Sequence, residues 1–252
     1  LSSTTKQYGM VIDLRRCVGC HACTVVCNME NNVARGHFRS YVQEADKGTY
    51  PNVTRVKLPR LCNHCSEAPC IKVCPTGASY RNAEGIVLID REKCIGCGYC
   101  VSACPYEARY LDPASKQADK CTFCYHRVRA GLEPACVSTC IAHARYFGDL
   151  KDTGSEVSQL VRKYKAGTLA PGLGTKENVY YIGREALAGV NFTPAGPFHN
   201  GLPGEGSRTA AVNTWLNVAR PAGKAIMGAA AVAVGASIAI GASKRGGGDG
   251  NE

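Results

Sequence analysis

Sixteen cysteines sort without remainder into four sets of four, and this constrains the chain more than any other feature. The first set is Cys17, Cys20, Cys23 and Cys27, spaced C-x2-C-x2-C-x3-C. The second is Cys62, Cys65, Cys70 and Cys74, spaced C-x2-C-x4-C-x3-C and followed by Pro75. The third, Cys94, Cys97, Cys100 and Cys104, repeats the first spacing and is followed by Pro105. The fourth is Cys121, Cys124, Cys136 and Cys140, with eleven residues between its second and third members. Every set closes with C-x3-C.

This spacing has a mechanical reason. Two residues between ligands let a tight loop wrap three corners of an iron–sulfur cubane, with backbone N–H groups facing its sulfides. The fourth cysteine is expected to start a helical turn that points away and to ligate the other cluster of a pair. A proline just after it suits the start of a new segment, where no backbone donor is required. Gly19, Gly96 and Gly98, with Ala22 and Ala103, leave room for the backbone to approach the inorganic core.

The crossed-ligand rule then predicts four [4Fe–4S] sites. Sets two and three are close in the chain and form one bicluster unit: Cys62, Cys65 and Cys70 with Cys104, and Cys94, Cys97 and Cys100 with Cys74. Sets one and four pair across the fold: Cys17, Cys20 and Cys23 with Cys140, and Cys121, Cys124 and Cys136 with Cys27. A three-iron cluster would need a missing ligand, and none is missing. Zinc would call for paired C-x2-C units about a dozen or more residues apart, which only part of the fourth set resembles. Disulfides between thiols this close would be strained, and disulfide scaffolds belong to chains of under ~100 residues, against 252 here.

Charge and motifs narrow the function classes. The formal charge of +10 taken alone suggests nucleic acid or an anionic surface. Four clusters of net charge about −2 each would offset most of it, so the basic excess reads as internal compensation and no nucleic-acid partner is expected. There is no GxxxxGK[ST] and no GxGxxG opening a helix, which argues against nucleotide chemistry. No Ser–His–Asp set, paired carboxylate or free cysteine nucleophile stands out, so no catalytic residue and no bond chemistry is assigned.

A basic residue precedes each set: Arg16, Arg60, Lys93 and Lys120. Each either raises the potential of its cluster through its charge or is a long side chain on a charged surface. His21, His64, His126 and His143 read as solvated or hydrogen-bonded groups, not ligands. Tyr99, Tyr106, Tyr110 and Tyr125 crowd sets three and four and read as shields against water. Arg15 and Arg16 are followed directly by Cys17 with no apolar stretch, so they do not read as an export signal.

The stretches GMVIDLRRCVGCHACTVVCNMEN (9–31), LPRLCNHCSEAPCIKVCPTGA (58–78), GIVLIDREKCIGCGYCVSACPYEARYLD (85–112) and ADKCTFCYHRVRAGLEPACVSTCIAHARYFGDLKD (118–152) carry a family resemblance. They resemble the four-cluster ferredoxin-like subunit of molybdopterin oxidoreductase complexes, most of all the tetrathionate and polysulfide reductase iron–sulfur subunits. Subunits of quinone reductase complexes in sulfate-reducing bacteria are similar. The resemblance covers about residues 8–190 and implies a non-catalytic electron-transfer subunit of an oxidoreductase complex in anaerobic respiration. It implies as partners a molybdopterin-family large subunit and a polytopic membrane subunit that binds quinone. It also places the cluster domain on the periplasmic, outer face of the cytoplasmic membrane. An alternative stays open, in which the relay runs from a periplasmic multihaem cytochrome c to menaquinone.

The expected fold class is α+β: two bacterial-ferredoxin-like bicluster units with short strands and helices, plus a C-terminal transmembrane helix. Alternation and β-branching predict strands at 8–13, 53–58, 86–89, 108–111, 144–147 and 179–182, with helical turns at 24–30 and 101–104. A helix is predicted at 155–166 with Ser155 as its N-cap. The domain reading is a four-cluster domain over 1–150, then a helix and strand packed on it over 151–192. Aromatics make up only 7%, so metal–ligand bonds must replace part of the core, and the cluster-free chain is expected to be unfolded or molten.

Residues 193–209 are a Pro/Gly-rich linker, and 210–245 read as an interfacial and transmembrane anchor with a flexible tail over 246–252. Within the anchor, 225–243 run without a charge, long enough as a helix for about one hydrocarbon core. The alternative reading is an Ala-rich helix buried against a soluble partner.

Overall fold

The computed structural model describes residues 6–190, which lie within the compact unit Leu1–Gly206. In chain order the strands are β1 (Tyr8–Asp13), β2 (Ser40–Thr49), β3 (Asn52–Leu61), β4 (Ser79–Arg81), β5 (Val87–Ile89), β6 (Arg109–Leu111), β7 (Ala118–Lys120), β8 (Arg145–Asp149) and β9 (Val179–Ile182). The α-helices are α1 (Ala22–Glu30), α2 (Pro69–Lys72), α3 (Tyr99–Ser102), α4 (Tyr125–Arg129), α5 (Ala135–Ser138) and α6 (Glu156–Tyr164).

β1 is the centre of a three-stranded sheet, antiparallel to β8 and parallel to β9. Its sequence YGMVID is apolar on both faces, as a strand covered on both sides must be. Met10 and Ile12 enter one core with Leu58 and Phe123, while Val11 packs with Val157 and Ile182 beneath α6. A Cβ on Gly9 would lie 2.7 Å from the carbonyl oxygen of Asn178, so the close approach of the segment leading into β9 needs glycine there.

Set three lies between two short hairpins, β4 with β5 and β6 with β7, with set two before the first hairpin, set four after the second, and set one between β1 and β2. α1 of set one packs on α5 of set four, and α2 of set two on α3 of set three. That helix pairing is α+β and ferredoxin-like, with two units interleaved in one chain. α6 begins as its sequence foretells: Ser155 Oγ accepts from the Ser158 N–H at 3.3 Å. It ends at Tyr164 because Lys165 turns left-handed.

The structure adds strands that periodicity does not reveal. β2 pairs with β3 over its whole length, although SYVQEADKGT is a poor strand sequence by composition. Only Ser40–Gln43 of it are buried, so ladder hydrogen bonds to β3 hold the outer half. β4 and β7 have three residues each, too short for a period to register. The strand expected at 144–147 runs Arg145–Asp149, and the turn expected at 101–104 is α3, which ends before Cys104.

Among the described residues no helix is long and apolar enough to cross a membrane. The linker, anchor and tail read from 193–252 lie outside them.

Candidate iron–sulfur cluster sites

All four sets use one local geometry. The second residue between the first two cysteines is left-handed: Gly19 (φ 75°), His64 (φ 44°), Gly96 (φ 70°) and Phe123 (φ 53°). The turn brings an N–H back onto the first thiol, so Phe123 N–H donates to Cys121 Sγ at 3.4 Å, and Gly19 does the same for Cys17. The third cysteine lies in the short helix that follows: Cys23 in α1, Cys70 in α2, Cys100 in α3 and Cys136 in α5.

The fourth cysteine closes a helical turn and does not start one, which corrects the expectation from spacing. Cys27 is inside α1, and Cys74, Cys104 and Cys140 come two residues after α2, α3 and α5. Three residues further the chain is left-handed again, at Gly77, Glu107 and His143. That kink turns N–H groups back onto the sulfurs: Ser79 onto Cys74 at 3.4 Å and Ala144 onto Cys140 at 3.3 Å.

Thiols from different sets share cavities. Cys74 lines one with Cys94, Cys97 and Cys100. Cys140 lines another with Cys17, Cys20 and Cys23. Cys65 is crowded by Cys62, Cys104 and Cys70, Cys27 by Cys136 and Cys124, and Cys121 by Cys27, Cys136 and Cys62. The eight thiols of these last two groups are all buried, whereas Cys20 and Cys97 of the first two are exposed. Two groups are therefore interior and two reach the surface, with Cys62 and Cys121 linking the interior pair.

The residues present fit [4Fe–4S] clusters. Besides thiols, the two outer cavities are lined by small or apolar groups and one arginine each, with His21 in the cavity of Cys17, Cys20, Cys23 and Cys140 and no carboxylate in either to compete for the metal. Among the described residues no three His, Cys, Asp or Glu side chains close in on a single-ion site. The thiols ring interior spaces instead. Burial pushes the Cys27 and Cys104 thiols up to about 12, and Cys65, Cys121 and Cys136 also rise. Such thiolates persist only against positive charge, which an iron core supplies. Cys74 behaves otherwise: burial raises it, but donors from Ser79 and Thr76 outweigh that and leave it below the ordinary thiol value.

The buried cations differ from those anticipated. Arg16 is exposed and donates to the Ala142 carbonyl and Tyr146 hydroxyl. Lys93 pairs with Asp90. Arg60 is buried, not superficial, and its guanidinium donates to Gln43 Oε1 and the Tyr106 carbonyl. Lys120 is 1% exposed and donates to the carbonyls of Val87 and, at 2.6 Å, Cys121. Two arginines that spacing had not singled out line the outer cavities. Arg145 donates to Cys23 Sγ at 3.3 Å. Arg109 is 4% exposed and donates to Ser79 Oγ at 2.8 Å, while its Nε and Nη1 have no hydrogen-bond partner among the described residues. Orphaned buried donors facing thiols suit the sulfurs of a cluster. The signal was in the sequence as CPYEAR (104–109) and CIAHAR (140–145), an arginine five residues after the last cysteine in both.

His64 is fully buried, not solvated. Its Nδ1 accepts from the Val87 N–H at 3.1 Å, and the ring stacks on Phe123 at 3.7 Å. Burial, then Lys120 and Arg109, hold it well below the ordinary histidine value, so it stays neutral. His126 contacts Glu30 at 2.8 Å and is half exposed. Tyr106 and Tyr110 are buried as water shields require, but Tyr99 is 62% exposed and shields little.

Gly96 gives a sharp test of the loop geometry. Its φ is 70°, and a Cβ there would overlap the carbonyl oxygen of Lys116 on a backbone that cannot swing away. Gly96→Ala is expected to displace the Cys94–Cys97 turn and halve or worse the occupancy of its own site, with the other three intact, as read by iron content and EPR. Gly98→Ala, whose Cβ would meet only Leu111 Cδ1 at 3.8 Å, is the milder control.

Comparison with known proteins agrees with this chemistry. A 4Fe-4S dicluster domain family matches residues 53–150. A subunit of the tetrathionate reductase of Salmonella typhimurium is 46% identical over 185 residues, covering 72% of this chain and 74% of the relative. The thiosulfate reductase electron transfer subunit of Salmonella typhi is 44% identical over 193 residues, 73% of this chain and 100% of the relative. The arsenate respiratory reductase iron–sulfur subunit of a Shewanella species is 37% identical over 224 residues, 70% and 96% respectively.

Proposed function

The chain belongs to the iron–sulfur electron-transfer subunits of multisubunit reductase complexes, and from that premise we propose the particular relay it forms. It is a non-catalytic subunit that binds [4Fe–4S] clusters. Our reading is four clusters with crossed ligation. Cys17, Cys20, Cys23 and Cys140 hold one outer cluster, and Cys74, Cys94, Cys97 and Cys100 hold the other. Cys62, Cys65, Cys70 and Cys104, and Cys27, Cys121, Cys124 and Cys136, hold the inner two. Each cluster when bound supplies one-electron redox chemistry. The chain itself fixes the spacing, excludes water from the interior sites and supplies the hydrogen bonds and charges that set potentials.

The observation that carries this reading is the exposure pattern. The two outer thiol groups reach the surface at Cys20 and Cys97 while the inner eight thiols are all buried. Electrons can enter and leave at surface sites and cross the interior without access to water. One outer site is proposed to face a molybdopterin-family catalytic subunit and the other a quinone-binding membrane subunit on the periplasmic face. Residues 225–243, uncharged and rich in Ala and Gly, are proposed to pack among that subunit's helices.

Two measurements test it. Purified holoprotein should carry about 16 iron atoms. Cys74→Ala and Cys97→Ala should then abolish one and the same EPR signal, and Cys65→Ala a different one. Loss of a common signal by Cys74→Ala and Cys65→Ala would overturn the crossed assignment. Mild-detergent isolation from native membranes should recover molybdenum with a large catalytic subunit. A multihaem cytochrome without molybdenum would overturn the partner assignment.

A further inference from the structure

Each boundary between adjacent thiol groups holds one buried cation. Arg109 bears on Cys70, Cys62 and Cys104 of one inner group and on Cys100 of the neighbouring outer group. Lys120 bears on Cys62 and Cys70 of that inner group and on Cys121 of the other. Arg145 bears on Cys136 of the second inner group and on Cys23 of the second outer group. Their exposures are 4%, 1% and 4%. None of the three has a carboxylate partner among the ion pairs of the described residues. The interior has other ways to place a cation: Arg39, its side chain 9% exposed, is neutralised by Asp119 at 2.8 Å.

A buried charge without a counter-ion is costly. Arg145 donates to Cys23 Sγ, Arg109 lines the cavity of Cys74, Cys94, Cys97 and Cys100, and Lys120 Nζ stands on the carbonyl of Cys121, so the thiolate and sulfide of bound clusters supply the compensating charge. Reduction adds one negative charge to a cluster, and a fixed cation in a water-excluded site stabilises that added charge. A cation set between two sites acts on both at once and raises both potentials.

We propose that Arg109, Lys120 and Arg145 are three positioning and tuning residues, one at each of the three cluster-to-cluster boundaries, each raising the reduction potentials of the two clusters it lies between. The inference rests on the four-cluster reading above and adds the residues that raise its potentials, two beside each inner cluster and one beside each outer cluster.

The test is an EPR-monitored redox titration of the holoprotein, full length and in its complex. The variants are Arg109→Met, Lys120→Met and Arg145→Met, with the charge-keeping Arg109→Lys, Lys120→Arg and Arg145→Lys. Four reversible reduction steps in the unaltered protein, assigned with the cysteine variants above, test the four-cluster reading separately. Given those steps, each neutral variant should lower the potentials of a different pair. Lys120→Met should shift the two inner clusters and spare the two outer ones. Arg109→Met and Arg145→Met should each shift one inner and one outer cluster. Charge-keeping variants should restore most of each shift. Equal shifts at all four clusters, or none, would overturn the proposal. If a neutral variant fails to retain iron, its charge-keeping partner decides: retention of iron with near-normal potentials supports the cation role, and equal failure overturns it.

Discussion

Stripping the iron from the purified chain is expected to abolish its cooperative unfolding transition. The reason lies in what the cores are made of. Cys23, Cys62, Cys121 and Cys136 are members of the largest apolar cluster. Cys65, Cys70, Cys100 and Cys104 make up much of the second. Without clusters these thiols line voids, and every void forfeits packing that the surrounding short elements cannot close by themselves. α2, α3 and α5 have four residues each, far below the length at which a helix holds without outside support. The three buried cations would also lose their compensating charge. Typical domain stability is roughly 5–15 kcal/mol, and losing four metal sites together exceeds that. Anaerobic calorimetry and near-ultraviolet circular dichroism should show a sharp transition for holoprotein and none for chelated protein. A cooperative melt of the iron-free chain would show that the polypeptide core suffices.

The second large effect is expected at Asp119. Its carboxylate accepts from Arg39 Nε and Nη2 at 2.8 Å each, from Arg91 Nη2 at 2.9 Å and from the Tyr110 hydroxyl. Arg39 and Asp119 side chains are 9% and 8% exposed, whereas Arg91 is 47% exposed and can return to water. Asp119→Ala therefore strands the Arg39 guanidinium and the Tyr110 hydroxyl inside the protein. Removing one partner of a buried pair costs about 3–5 kcal/mol. Arg39 also donates to Asn31 Oδ1 at 2.9 Å, and Asn31 Nδ2 stands 3.7 Å from Cys27 Sγ and 3.8 Å from Cys124 Sγ. The variant should therefore also bleach an inner cluster faster in denaturant. Asp46, paired with Arg55 on the exposed end of the β2–β3 hairpin, is the control, and Asp46→Ala should leave the midpoint almost unmoved. Equal shifts for the two variants would show that the Asp119 network is no stronger than a surface pair.

What could be read from the sequence was what is local. The residues of a C-x2-C turn and of a C-x3-C helical turn touch because of backbone geometry alone, so the cofactor class needed no knowledge of the fold. Ser155 as a helix cap and Tyr8–Asp13 as a strand were legible for the same reason: the residues that decide them lie within a few positions of one another. The helical turn at the fourth cysteine was legible but misplaced in detail, because Cys74, Cys104 and Cys140 end a turn that their third cysteines begin.

Tertiary structure alone decided the rest. Ser40–Thr49 is a strand because β3 lies beside it, and its own side chains argue against that conformation. The importance of Asp119 depends on Arg39, eighty residues away in the chain. Basic residues next to cysteines drew attention, yet Arg16 and Lys93 face water, while Arg145 reaches Cys23 from 122 positions away. Spacing along the chain determines which atoms can surround an iron–sulfur core. Only the folded chain determines which charges are left inside without a carboxylate, because desolvation depends on everything packed around a group and not on its neighbours in sequence.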